Sequence, residues 1–141
     1  MYSAIDLAKY IVTKCTSENE PISNLQLQKI LYYIQREFLQ MQNVPAFRDE
    51  IEAWQFGPVV PTVYYRFCGS GAMPIKNSFE NIPIKSYDKS CIDKIVEEKR
   101  RLSPWSLVED THKSDGAWAQ VYRNGAGNHK PISTDLIKTV G

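Results

Sequence analysis

Little in this sequence serves a membrane, a metal or a polyanion. No apolar run approaches the roughly 18 residues that a membrane-spanning helix needs, and the N-terminal MYSAIDLAKYIV has neither the basic region nor the cleavage site of a signal peptide. The three cysteines, Cys15, Cys68 and Cys91, are odd in number, widely spaced and without a C-x-x-C pair, so they read as reduced thiols and not as a disulfide framework. The two histidines, His112 and His129, stand alone. Asp110 and His112 are two apart on a helix and point in different directions, whereas a metal centre needs three or four convergent ligands. The net charge is +1, from 17 basic and 16 acidic side chains, and such a balance creates no field that draws in nucleic acid. Gly69-Ser70-Gly71 lacks the lysine and following Ser or Thr of a phosphate-binding loop. A cytoplasmic protein is expected, with no membrane association and no cofactor or metal, and nucleic acid is disfavoured as a partner.

What the chain does have is helical periodicity. At 141 residues it fits one domain, residues 1–141, long enough to bury its own core without staples. The organising stretch is Ile22 to Gln42, where Leu27, Ile30, Leu31, Ile34, Phe38 and Met41 form one stripe on a 3.6-residue period. Ser23 and Gln26 predict a capping box, and Ile22 is placed to staple onto Leu27. A helix of about 20 residues spans roughly 30 Å, so the remaining elements must pack around it. Tyr32, Tyr33 and Leu39 widen its apolar surface and predict contact from more than one side.

Around this helix the chain reads as follows. Ser3 to Cys15 is an amphipathic helix with Ala4, Leu7, Ala8, Ile11, Val12 and Cys15 inward, and Thr16 to Pro21 is the turn after it. Ile51 to Phe56 alternates as a short strand, Gly57-Pro58 stops it, and Pro61 starts a helix through Val63, Tyr64 and Phe67. Residues 69–87 show no helical period and predict a long connection. Asp88 to Leu102 is helical, with Ile92, Ile95, Val96 and Leu102 inward and the charged run Glu97 to Arg101 outward. Helices follow from Ser103-Pro104 to Thr111 and over Ala117 to Tyr122. Lys130 to Ser133 is a second strand able to pair with Ile51 to Trp54, and a last helix carries Leu136, Ile137 and Val140. The expected fold is mainly α, a compact helical domain with a small two-stranded β element.

Three segments together resemble a known family. LQLQKILYYIQ (Leu25 to Gln35), IEAWQFGPVVPTVYYRF (Ile51 to Phe67) and THKSDGAW (Thr111 to Trp118) are similar, in order, to the Panacea domain, which includes SocA-like antitoxins and many phage-associated proteins. The most specific part is carried by Glu52, Ala53, Trp54, Gly57, Pro58, Val59, Pro61, Val63 and Tyr64, and Thr111, His112 and Trp118 complete the pattern. One departure is Ala117, where many members have proline. The resemblance implies a protein-binding antitoxin that neutralises a cognate protein toxin by complex formation, in at least one member by delivering it to an ATP-dependent protease. A phage-encoded inhibitor of a host defence nuclease is the alternative within binding functions. In that case the host cytoplasm is the compartment. An enzyme with an unrecognised site and a transcriptional regulator are the alternatives outside them, and self-association stays open.

The residues themselves point away from chemistry. A Cys–His nucleophile made from Cys68 or Cys91 with either histidine is left open only because such pairs form in space. Asp49, Glu50 and Glu52 read as a polar strand edge. Trp54, Phe56, Trp105 and Trp118 read as core, since the basic interleaving of a base-stacking platform is missing. Aromatic and arginine side chains anchor protein interfaces. Tyr32, Tyr33 and Arg36 on the long helix, and Tyr65 and Arg66 after the G-P-V turn, are therefore the expected partner-binding residues.

Overall fold

The computed structural model covers residues 1–141 and places one helix at its centre. Seven helices, α1 (Ala4–Ser17), α2 (Asn24–Gln42), α3 (Pro61–Phe67), α4 (Ser86–Lys99), α5 (Pro104–Thr111), α6 (Ala117–Tyr122) and α7 (Thr134–Val140), surround or flank a small sheet of β1 (Ile51–Trp54), β2 (Gly57–Val59) and β3 (Lys130–Ile132). The start of α2 is fixed locally by a capping box. The Ser23 hydroxyl accepts from the Gln26 N–H, and the Gln26 side chain accepts from the Ser23 N–H. Beyond that cap α2 is enclosed on nearly every side, because α1, α3, α4, α5, α7 and β2 all pack on it. Every residue from Leu27 to Gln35 is buried. No helix is long and apolar enough to cross a membrane.

The sheet has one strand more than expected. β1 pairs antiparallel with β3, Ile51 opposite Ile132, and also with β2, Trp54 opposite Gly57. The chain turns back at Gln55-Phe56, and Gly57-Pro58 continues the pairing as β2 instead of ending it. Pro58 is tolerated because β2 is an edge strand in the order β2-β1-β3. Ile51 and Ala53 face the core, buried to 3% and 0% exposure, as the alternation predicts.

Several other expectations need correction. Met41 keeps the phase of the α2 stripe but is 73% exposed, because the last turn of the helix outruns the elements that cover it. Leu102 follows the end of α4 and is exposed as well. Arg100, placed outward with its charged neighbours, instead turns its side chain to 6% exposure and pairs with Glu18 at 2.7 Å and Glu20 at 3.1 Å, tying the end of α4 to the end of α1. Residues 71–85 are an irregular connection anchored from inside. Ile75 and Ile84 are buried, the Ile75 N–H donates to the Ile22 carbonyl at 2.8 Å, and the Phe79 N–H donates to Thr13 Oγ1 at 2.9 Å.

Candidate functional site

The hairpin β1–β2 and the segment after α5 meet on α2, and the three resembling segments converge there. Two adjoining regions result. The inner one is a polar node around Lys29, the only charged side chain between Asn24 and Gln35. Its exposure is 0%, and Nζ donates to the Pro58 carbonyl at 3.0 Å. Burial without a carboxylate partner pulls its pKa down to about 7. Gly57 closes the node. Its φ of +111° belongs to glycine, and a Cβ there would lie 2.7 Å from Thr111 Oγ1 and 2.9 Å from Lys29 Cε. Thr111 itself is buried and donates to the Val108 carbonyl at 2.9 Å.

His112 caps the C-terminus of α5 beside this node. Its ring lies flat on Trp118, with centroids 3.7 Å apart and planes 4° from parallel. The indole Nε1–H of Trp118 donates to the Trp54 carbonyl at 2.7 Å, so the THKSDGAW segment is fastened to β1. The ring is not fully satisfied, since Nε2 is buried without a hydrogen-bond partner. Burial first and the Lys29 charge second hold its pKa below the ordinary histidine value. An ammonium and an imidazolium side by side would repel with no anion between them.

Two more polar residues of α2 grip the hairpin's exit. The Gln28 amide donates to Asn24 Oδ1 at 2.9 Å, and its Oε1 accepts the Val60 N–H at 2.9 Å. The Asn24 amide donates to the Tyr64 carbonyl at 3.1 Å. Val60 precedes Pro61, which opens α3, so this clamp aims α3 and with it Val63 inward and Tyr64 and Tyr65 outward. Periodicity did not reveal these residues. The available signal was a cluster of polar side chains, Asn24, Gln28 and Lys29, inside a helix too apolar to leave a solvent face.

The outer region is a cleft of about 400 Å³ between the α2 N-terminus, the hairpin and the start of the 71–85 connection, lined among others by Leu25, Trp54, Phe56, Val59 and Tyr64. Trp54 forms its wall. Its ring stacks on His129 at 4.4 Å, meets Tyr64 edge-on at 5.0 Å, and its Nε1–H donates to Glu52 Oε1 at 2.8 Å. Tyr65 packs at 6.0 Å from Trp54 and is 63% exposed. Phe56 and Trp105, expected in the core, are 44% and 59% exposed and meet edge-to-face at 5.3 Å. The hairpin turn and the first turn of α5 both project past the core, which is why these rings reach solvent.

The residues named for partner binding are therefore divided. Tyr65 and Arg66 are both exposed on α3, and Tyr65 lies next to Trp54. Tyr32 and Tyr33 are only 4% and 3% exposed and belong to the core. The Tyr33 hydroxyl donates to Asp110, and Lys99 and Arg36 lie against its ring at 4.1 and 4.9 Å, so Arg36 is partly engaged inside the protein. The reason is the number of elements packed on α2, which leaves no free face at these positions.

Comparison with known proteins agrees with the segments that build both regions. A family model described as antitoxin SocA-like, Panacea domain, matches residues 27–119. Antitoxin SocA of Caulobacter vibrioides (strain NA1000 / CB15N) is 33% identical over 146 aligned positions, covering 95% of this chain and 77% of that protein. No solved structure matches.

Proposed function

Because the chain belongs to the Panacea-domain family of SocA-like antitoxins, we propose that it neutralises a protein toxin by holding it in a folded complex, with the aromatic cleft as the contact surface. The observation that supports this most is the exposure of Phe56, Trp105 and Tyr65 around the cleft on a frame fixed by buried hydrogen bonds. Exposed aromatic side chains on a preorganised surface are the residues that carry binding energy in protein interfaces. Arg66 is exposed on the same helix as Tyr65 and suits the polar rim.

Catalysis finds less support. A strongly perturbed pKa often marks an active site, but the one at Lys29 belongs to a side chain with no exposure, and the cleft lining does not include it. Its shift follows from burial in a structural node. Delivery of the bound toxin to an ATP-dependent protease would be a further consequence of the same complex, read as faster toxin turnover when this protein is present.

The test is co-expression. Each neighbouring reading frame is expressed alone and together with this protein, and growth and copurification are followed. A toxic neighbour that is rescued and copurifies is expected. Growth unaffected by every neighbour would remove the antitoxin reading, and copurification of a host nuclease instead would favour the defence-inhibitor alternative.

A further inference from the structure

We infer that the cleft takes an extended, uncharged segment of the partner protein that inserts apolar or aromatic side chains between Trp54, Phe56 and Leu25. The inference rests on the protein-binding reading above and adds the chemistry of what is bound. It starts from charge. No Lys, Arg, Asp or Glu lines the cleft, although the chain has 17 basic and 16 acidic residues. An ionised side chain entering there would leave water without meeting a counter-charge, which is costly. An apolar side chain would instead cover Leu25, Val59 and the Trp54 and Phe56 rings, the favourable exchange.

The polar groups in the cleft fit a peptide backbone. The amides of Asn24 and Gln28 are already engaged within the protein, with each other and with the Tyr64 carbonyl and the Val60 N–H. Those of Gln55 and Asn128 are exposed at the cleft and make no hydrogen bond within the chain. A primary amide offers both a donor and an acceptor, the pair needed to meet the C=O and N–H of an extended strand. A volume of about 400 Å³ admits a few side chains and no folded element.

A random decapeptide display library selected on the folded protein tests this. Sequences are counted if they bind the native chain and lose at least tenfold on the Gln55→Glu and Phe56→Ser variants, both at exposed positions where folding is checked by circular dichroism. The expected selection is rich in uncharged decapeptides with spaced Leu, Phe, Trp or Met, and replacing one such residue by Lys or Glu weakens binding at least tenfold. Selected sequences that require a fixed charge, or an absence of any that depend on the cleft, would overturn the inference. So would self-association in sedimentation velocity that is abolished by Phe56→Ser, since a second copy would then be the occupant. The two readings fail separately. A neutralised toxin that binds both variants as tightly as the native chain would refute the cleft assignment and leave the antitoxin function. Cleft-dependent peptides without any neutralised toxin would do the reverse.

Discussion

The Lys29 node and the aromatic cleft are built by the same three segments, yet one is closed to water and the other open to it. In the node every neighbour is fixed, and the Gly57 backbone touches Lys29 and Thr111 so closely that no side chain fits between them. In the cleft, a few residues away along the same hairpin, Gln55 and Phe56 are exposed. The difference teaches that a specific sequence motif can combine two roles. Gly57, Pro58, Thr111, His112 and Trp118 hold the hairpin in place, and the turn they hold presents the residues we propose as the contact surface.

The contrast is broken most severely at Gly57. Gly57→Val meets both an unfavourable φ and a close approach to Thr111 and Lys29, and a loss of about 3 kcal/mol or more is expected in urea denaturation. The next effect is a pH dependence that belongs to the node alone. Native Lys29 is neutral above about 7, whereas unfolded Lys29 stays protonated up to the ordinary lysine range near 10.4. Between these values the unfolded chain binds more protons, so stability rises with pH and is lost as pH falls toward 7, by up to about 1.4 kcal/mol per unit. The raised pKa values of Tyr10, Tyr32 and Tyr33, due first to burial, act oppositely above about pH 10, because those tyrosines ionise more readily when unfolded. The Cys15 and Cys91 thiols, whose pKa values burial also raises, act oppositely within the thiol range at about 8.5. Lys29 is therefore isolated by difference: from pH 7.5 to 9.5, on the order of two units, the native chain is expected to gain stability relative to Lys29→Met.

Smaller changes sharpen the boundary between the regions. Trp118→Phe keeps most of the stack on His112 but removes the indole N–H that holds the Trp54 carbonyl, and a cost of about 1 kcal/mol is expected in thermal unfolding. Trp105→Ala, at a position 59% exposed, should change stability by less than about 0.5 kcal/mol. If Trp105→Ala proved as damaging as Trp118→Phe, the Phe56–Trp105 pair beside the cleft would be part of the core after all.

The helices were legible because their signals are local. Ser23 with Gln26 and Ser103 with Pro104 each mark a start that the structure contains. The extra strand was not legible, since Gly-Pro ordinarily ends a strand, and only the edge position beside α2 makes it tolerable. Burial of Tyr32 and Tyr33 depends on how many elements crowd α2, a tertiary property that no spacing encodes. Exposure of Phe56 and Trp105 escaped for the opposite reason, because aromatic residues default to the core in any reading of sequence. The node was legible only as a motif. Its physics, a lysine with one carbonyl for company, emerged from the packing.

The most direct test joins the two regions in one comparison, using the toxin recovered by co-expression as ligand and the Phe56→Ser/Trp105→Ser variant as probe. The account predicts that the variant unfolds at the native urea midpoint and binds the toxin about 30-fold more weakly, the loss of an interface hot spot. Toxin binding unchanged within about twofold, in a variant that is equally stable, would contradict it.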